Sequence, residues 1–260
     1  MRCRLLLPAV FSLLWSPTLF AAPIAKPVEW TIGGDTFAGV LVYDDAVKQP
    51  RPGLVMVPNW KGVNDSAIEK ARLVAGDDYV VLVADVYGKG IRPKTDAEAG
   101  PVATAMRADR PKLRARVQKA VEVLKQQPGT LVDVTRIGAF GYCFGGSTVL
   151  ELVRAGDALS GVVSLHGGLA TDLPAAGPVK SPVLVLNGGD DTYVSAAEIT
   201  AFQDEMRKAG ADWQFVSFGG AAHCFAESDA QNPPGCVYHA PSARRAYRIM
   251  ADFFEDVFAK

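Results

Sequence analysis

Residues 136–150 read RIGAFGYCFGGSTVL. The segment begins as a buried apolar strand at 137–142, turns sharply through 141–146 and continues as an apolar helix from Ser147. A strand, a tight turn and a helix in this order are typical of a nucleophile elbow, and Cys143 stands where serine hydrolases carry their serine. The alternative is a buried, unreactive cysteine in a glycine-rich turn, because free cysteine packs as a small hydrophobe.

Two features around Cys143 favour a reactive thiol. Gly141 and Gly145 lie two residues to either side of it, and so tight a turn has strained backbone angles and no room for side chains beside the nucleophile. The helix that follows points its N-terminal amides at the turn, which favours a thiolate over a thiol. The motif therefore predicts that Cys143 is a catalytic nucleophile.

The composition limits the classes of protein to consider. The chain has 260 residues, of which 49% are hydrophobic and 21% charged, and its net charge is −1. These values are ordinary for a soluble globular protein, and one α/β domain can use the whole length. There is no basic excess to indicate a nucleic-acid partner. Cysteine and histidine are few and lack metal-ligand spacing, so neither a metal nor a cofactor is implied.

The first 22 residues are typical of a signal peptide. Two arginines precede an apolar run at 5–20, and alanines follow it. The run is interrupted by proline and is short for a membrane span. We therefore expect residues 1–22 to be removed and residues 23–260 to form one exported domain, periplasmic or secreted, that is not attached to a membrane. An uncleaved anchor is the alternative.

Strand and helix patterns alternate along the rest of the chain. Residues 28–44 read as a β-hairpin. Beyond it, buried apolar runs such as 79–86 alternate with amphipathic helices such as 110–127, and Asp65 or Ser66 is expected to cap the first helix. This order predicts an α/β-hydrolase fold, in which a mainly parallel sheet has helices on both faces and an N-terminal hairpin.

Three chemically reactive residues follow strands in the order nucleophile, acid, histidine. Cys143 ends one strand, Asp191 follows a later one, and His223 lies in a long irregular loop at 219–240 after the last strand. Ligands of such sheets bind beyond the carboxyl ends of the strands, so these side chains are expected to meet there. The order is that of α/β-hydrolase triads. Asp190 is an alternative acid, because one of the two aspartates is expected to serve the turn.

Acyl chemistry also requires two donors for the oxyanion. One is the amide of Phe144, the residue after the nucleophile, and the other is expected to be the amide of Trp60 in the loop after an earlier strand. The alternative is that Pro58, Trp60 and Gly62 only shape a turn, because the loop has no HGGG-type pattern.

The mature chain holds three cysteines. An odd number in an exported protein indicates one bonded pair and one free, reactive thiol. Cys224 and Cys236 lie in the same long loop, so we expect them to form a disulfide that braces the loop carrying His223. Two free thiols are the alternative, because spacing alone does not fix the geometry.

Together these residues resemble the dienelactone hydrolase family from about residue 28 to the C-terminus. The matching segments are GYCFGG at 141–146, GGDDTYV at 188–194 and the histidine of AAHCF at 221–225. The resemblance implies an α/β-hydrolase fold, hydrolysis of a small-molecule ester or lactone without a cofactor, and a triad of Cys143, His223 and Asp191 rather than Asp190.

Two departures from the family concern the substrate pocket, which we expect to include Asn59, Tyr87, Lys89 and His166. Asn59 stands where the family often has a glutamate that holds the resting thiol. We expect its amide to donate to the sulfur, unless it only bonds its own turn. Glu227 matches a substrate-gripping arginine, and a carboxylate there would repel a carboxylate substrate, whereas Lys89 would attract one. Dienelactone itself is therefore not predicted as the substrate.

The sequence predicts an exported, cysteine-dependent hydrolase of an ester or lactone, with a monomer expected. The alternative class is a catalytically inactive small-molecule binding protein on the same scaffold. His166 also has an alternative role as a hydrogen-bonded structural histidine, because one base suffices for the reaction.

Overall fold

The computed structural model describes residues 23–128 and 131–259, and the predicted signal peptide, residues 1–22, lies outside the described residues. The strands are β1 (Ile24–Ile32), β2 (Asp35–Tyr43), β3 (Arg51–Val57), β4 (Val80–Val83), β5 (Val132–Tyr142), β6 (Gly161–Leu165), β7 (Val183–Gly188), β8 (Trp213–Phe218), β9 (Gln231–Asn232) and β10 (Cys236–Val237). The helices are α1 (Asp65–Ala75), α2 (Asp96–Ala108), α3 (Arg110–Lys125), α4 (Phe144–Ala155), α5 (Ala196–Lys208) and α6 (Ala240–Phe258).

Eight strands form one twisted sheet in the order β1-β2-β4-β3-β5-β6-β7-β8. The hairpin β1–β2 is antiparallel and joins β4 antiparallel, whereas the pairs from β4 to β8 are all parallel. The predicted α/β-hydrolase fold with its N-terminal hairpin is therefore confirmed. Since β3, β5, β6, β7 and β8 run the same way, the loops that follow them share one edge of the sheet.

The sheet separates two apolar layers. Alternate residues of each strand point to opposite faces, so Val55 of β3 packs in the layer covered by α2 to α5, while its neighbour Leu54 packs in the layer covered by α1 and α6. Both are fully buried, as is every residue of β4. Covering both faces explains why the central strands read as continuous apolar runs rather than alternating ones.

Two local expectations were wrong. Asn64, not Asp65 or Ser66, is the N-cap of α1, and its Oδ1 accepts from Ala67 N at 2.9 Å. The long loop after β8 is not wholly irregular, because β9 and β10 pair antiparallel within it. Among the helices of the described residues, none has the length and apolar character needed to cross a membrane.

Candidate active site

The elbow forms where β5 passes directly into α4. Cys143 lies between them with φ 52° and ψ −113°, a backbone conformation that residues other than glycine rarely adopt. The turn is held by close backbone approach: a Cβ on Gly141 would overlap the Gly145 carbonyl, and one on Gly145 would overlap the carbonyl oxygen of Val57 on β3. Glycine is therefore required at both positions for this packing. The thiol of Cys143 is free and half-buried.

Asp191 and His223 meet at the same edge of the sheet. Asp191 Oδ2 lies 2.7 Å from His223 Nδ1, and both side chains are buried. Asp191 Oδ1 accepts from the amide of Tyr193 at 2.8 Å, so both carboxylate oxygens are occupied. Asp190, the alternative acid, is exposed. The structure thus places the carboxylate of Asp191, rather than that of Asp190, on the histidine.

The side chain of Cys143 is near enough to His223 to raise the pKa of the imidazole. Burial by itself would lower the pKa of His223, but the hydrogen bonds to Asp191 and Cys143 and their negative charges raise it to about 10. The imidazole is therefore held as an imidazolium at neutral pH. A cationic neighbour of this kind favours the thiolate, which is the nucleophilic form of cysteine.

Tyr87 connects the two segments that carry the predicted oxyanion donors. Its hydroxyl donates to the carbonyl oxygen of Trp60 at 3.0 Å, and its ring centroid lies 5.3 Å from that of Phe144. Burial raises the pKa of Tyr87, which keeps the phenol protonated and able to donate. The buried carboxylate of Asp85 in turn accepts from the amides of Tyr87 and Gly88. Tyr87 thus braces the loop that carries Trp60 against the start of α4.

We expect Tyr87→Phe to lower kcat by roughly 3- to 10-fold, the value of one buried hydrogen bond. KM should stay within about twofold, because the phenylalanine ring preserves the packing against Phe144. Steady-state kinetics on an activated ester measures both. Tyr247→Phe is the matched control, since it also removes a buried phenol that donates to a backbone carbonyl, at Ala226. Equal rates for wild type and Tyr87→Phe would show that the Trp60 loop keeps its geometry without this bond.

The other residues expected in the substrate pocket have different surroundings. Lys89 is half-exposed, and its Nζ lies 2.7 Å from Glu29 Oε1 on β1. Among the described residues, no contact joins it to Cys143 or His223. Asn59 Oδ1 accepts from Lys61 N at 3.0 Å, within its own turn, but Asn59 Nδ2 donates to Glu227 Oε2 at 2.5 Å. The structure therefore gives the amide of Asn59 a carboxylate partner instead of the sulfur.

Sequence reasoning missed a buried ionic cluster beneath this edge of the sheet. Glu227 is 2% exposed, and Lys70 Nζ lies 3.4 Å from its Oε2 and 2.7 Å from Asp229 Oδ1. Burial raises the pKa of Glu227, and the charge of Lys70 opposes that rise. The carboxylate of Glu227 thus has a cationic partner, Lys70, inside the protein. A signal was present, because Lys70 lies three residues after Ala67 on the buried face of α1.

A disulfide joins Cys224 to Cys236, twelve residues apart. His223 forms an isolated parallel bridge with Cys236, and its carbonyl oxygen accepts from Val237 N at 3.0 Å. The backbone of the histidine is therefore attached to the far side of the bonded loop. Within 23–128 and 131–259, no group of three or more histidine, cysteine, aspartate or glutamate side chains is placed to hold a metal ion.

The double variant Cys224→Ala/Cys236→Ala should unfold at a Tm lower by roughly 6–12 °C. A closed loop of this size is worth about 3 kcal/mol in the chain-entropy model. Activity should fall as well, because the loop holds His223. Differential scanning calorimetry measures the first effect and ester hydrolysis the second. Before any reduction, alkylation of the wild-type mature protein should add one label by intact mass, at Cys143. Three labels would mean that the bridge is absent in solution.

Comparison with protein families identifies one family for this chain. The model of the dienelactone hydrolase family matches residues 37–258. Among solved structures, m3DLH is 36% identical with a TM-score of 0.86, covering 92% of this chain and all of that one. A dienelactone hydrolase-like promiscuous phosphotriesterase from metagenomic libraries is 35% identical with a TM-score of 0.85 and the same coverage. The carboxymethylenebutenolidase of Pseudomonas putida is 28% identical over 170 residues, covering 63% of this chain and 70% of that protein.

Proposed function

Because this chain belongs to the dienelactone hydrolase family and is an ester or lactone hydrolase, we propose that it acts through a triad of Cys143, His223 and Asp191 and that it is exported. The observation that carries the triad is the position of His223, which has Asp191 at 2.7 Å from Nδ1 and Cys143 near enough to raise the pKa of the same ring. A nucleophile, a base and an orienting acceptor are thereby brought together, as this chemistry requires.

Acylation begins when Sγ of Cys143 attacks the carbonyl carbon, so that a C–S bond forms and the carbonyl π electrons move to oxygen. The amides of Phe144 and Trp60 bind the oxyanion. Collapse of the intermediate breaks the C–O bond, and the leaving alkoxide takes a proton from His223. In a lactone the alkoxide stays attached to the acyl chain. The product is a thioester on Cys143.

Deacylation uses the same groups in the reverse order. Once the thiol is acylated, its charge and its hydrogen bond no longer raise the pKa of His223. His223 has already given its proton to the leaving group, and burial is now opposed by Asp191 alone, so the neutral imidazole can take a proton from water. The resulting hydroxide attacks the thioester carbonyl, and the departing thiolate of Cys143 pairs again with the imidazolium. Asp191 keeps Nδ1 protonated and the ring oriented throughout.

A small ester and lactone panel, combined with active-site titration by a thiol-reactive electrophile, tests the function. We expect turnover of uncharged activated esters and loss of turnover in proportion to the titrated Cys143. The panel includes one phosphotriester, because one structural relative is a promiscuous phosphotriesterase. Stoichiometric titration without turnover of any ester would favour the inactive binding protein. Turnover that survives full modification of Cys143 would exclude the thiol mechanism.

Export rests on the pattern of residues 1–22 and on the disulfide, since such bonds persist mainly in oxidising compartments. We expect the full chain, expressed in a Gram-negative host, to appear in the periplasmic or secreted fraction with its N-terminus near residue 23. N-terminal sequencing and fractionation measure this. A cytoplasmic product that retains residues 1–22 would contradict export.

A further inference from the structure

His166 is a buried titratable residue at the active site for which the proposed mechanism has no step. It follows β6 directly, is fully buried, and has a positive φ of 40°. Its ring centroid lies 5.2 Å from that of His223, edge to face. Unfavourable backbone angles persist only where the surroundings hold them, and they concentrate at functional sites. The contacts of the His166 ring are therefore expected to hold this conformation in place.

One ring nitrogen of His166 holds the backbone of the nucleophile. The amide of Cys143 donates to His166 Nδ1 at 3.2 Å and also to Leu165 O at 3.0 Å. A nitrogen that accepts a hydrogen bond carries no proton, so the neutral ring must carry its proton on Nε2. Burial, followed by the charge of His223, lowers the pKa of His166 and keeps the ring neutral. The tautomer is thus set by the nucleophile's own amide.

The other ring nitrogen faces Glu227. Within the described part of the chain, His166 Nε2 and Glu227 Oε1 are both buried without a hydrogen-bond partner, and they lie 3.9 Å apart. An unpaired buried donor and an unpaired buried acceptor each cost free energy. A shift of about 1 Å would bring this pair to ordinary hydrogen-bond distance. Each atom is therefore the partner that the other lacks.

The second oxygen of Glu227 serves the oxyanion loop. Glu227 Oε2 accepts from Asn59 Nδ2 at 2.5 Å, and Asn59 directly precedes Trp60, the predicted donor. One buried carboxylate thus faces both the loop of one oxyanion donor and, through His166, the amide of Cys143 next to the other. Glu227 has no contact with the reacting atoms that would make it a catalytic acid.

We propose that His166 is a positioning residue of this hydrolase: Glu227 holds its Nε2–H, and its Nδ1 fixes the amide of Cys143, so that the thiol and the Phe144 amide stay aligned. The Cys143 N–H lies in the peptide plane that joins Tyr142 to Cys143, so holding the N–H fixes that plane. Both Sγ and the Phe144 amide project from the Cα atom at the end of this plane, so a tilt of the plane would move both. A misplacement of about 1 Å at a reacting group costs on the order of 10²-fold in rate. The inference rests on the proposed triad.

Two substitutions at His166 separate positioning from packing. Asparagine offers an oxygen near the place of Nδ1 and tolerates positive φ, whereas leucine fills a similar volume but cannot accept. We expect His166→Leu to lower kcat by 10- to 100-fold with KM within about twofold, and to slow alkylation of Cys143 at least threefold. His166→Asn should retain kcat within about fivefold. Circular dichroism and Tm identify any effect of leucine on the strained backbone at this position. Equal kcat and equal alkylation rates in the two folded variants would show that the acceptor at Nδ1 is not needed, and that result would overturn the proposal.

Glu227→Gln tests the contact between Glu227 and His166 Nε2, because glutamine has nearly the same shape as glutamate. A glutamine has one acceptor oxygen, so it satisfies either Asn59 or His166 but not both. We expect kcat to fall at least threefold in Glu227→Gln and to stay within about 1.5-fold in the control Asp229→Asn, which removes a charge beside the same lysine. If kcat is the same in Glu227→Gln and wild type, Glu227 does not hold His166.

The tautomer of His166 is measured on the wild-type protein by ¹⁵N NMR, so the test stands even where a variant does not fold. We expect an unprotonated Nδ1 and a protonated Nε2. The opposite tautomer, or a charged ring at neutral pH, would overturn the proposal. Alkylation of Cys143 and the tautomer require no turnover. Absence of ester hydrolysis by wild type would therefore reject the proposed function, while a wrong tautomer alone would reject this inference.

Discussion

Cys143→Ala is expected to reduce kcat/KM for an activated ester by at least about 10⁴-fold, because the covalent route disappears and no other nucleophile stands at the elbow. The fold should be unchanged, since alanine removes one half-buried sulfur and keeps the Cβ that the turn already accommodates. Residual hydrolysis would come from binding and from the oxyanion donors alone.

The measurement is a comparison of wild type, Cys143→Ala and Cys143→Ser on the same ester, with Tm and circular dichroism as folding controls. The serine variant should retain some activity. Its hydroxyl depends on His223 to remove a proton, whereas a thiol ionises far more readily than a hydroxyl. Wild-type rates for folded Cys143→Ala would remove Cys143 from the mechanism. The proposed function would then need another nucleophile.

The elbow was accessible from sequence because its determinants are local. A buried strand, glycines at two-residue spacing and an apolar helix all lie within 136–150, and the turn leaves few alternatives for that combination. The chain order of Cys143, Asp191 and His223 added the expectation that they meet, since parallel strands bring their following loops to one edge. The fold prediction succeeded for the same reason.

The environment of Asn59 could not be predicted from the sequence, because its hydrogen-bond partner Glu227 is 168 residues away in the chain. Sequence offers Asn59 only its own turn and the nearby nucleophile as partners. The structure places Glu227 between Asn59 and Lys70, where an uncompensated carboxylate would be very unfavourable. The role of Glu227 therefore depends on three segments meeting in space, and a single position compared with a family pattern suggested the wrong surroundings for it.

The same reasoning explains Lys89 and the cap of α1. Lys89 follows Tyr87 by two residues, and we predicted from this spacing that it lies in the substrate pocket. In the structure its ammonium extends to Glu29 on the edge strand. The predicted N-cap of α1 was wrong because Asn64, Asp65 and Ser66 are all good capping residues. Only the backbone conformation decides which of them caps the helix. Side-chain direction and local backbone angles are thus the information that the sequence pattern lacked.

Asp191→Asn is expected to lower kcat/KM by about 10²- to 10⁴-fold, although asparagine has the same shape. Both oxygens of Asp191 accept hydrogen bonds, one from Tyr193 N and one from His223. Asparagine has one acceptor oxygen, so its amide group must face one of these donors and lose that bond. Either loss disturbs His223, by its orientation or by its tautomer.

The electrostatic consequence has a definite sign. In wild type, burial lowers the pKa of His223, and the hydrogen bonds and charges of Asp191 and Cys143 outweigh burial and raise it to about 10. Asp191→Asn removes the carboxylate that opposes the effect of burial, so the pKa of His223 must fall in this variant. The imidazolium is then lost at a lower pH, and alkylation of Cys143 near neutral pH should slow, because a cationic neighbour favours the reactive thiolate.

Asp190→Asn is the matched control, since it changes the adjacent, exposed aspartate in the same turn and should keep kcat/KM within about twofold. NMR titration of the His223 ring and iodoacetamide labelling of Cys143 across pH measure the electrostatic effect, and steady-state kinetics measures the catalytic one. A large loss in Asp190→Asn together with wild-type behaviour in Asp191→Asn would exchange the roles of the two aspartates. An unchanged titration of His223 in a slow Asp191→Asn would instead assign the loss to ring orientation alone, because the carboxylate charge would then contribute nothing to holding the imidazolium.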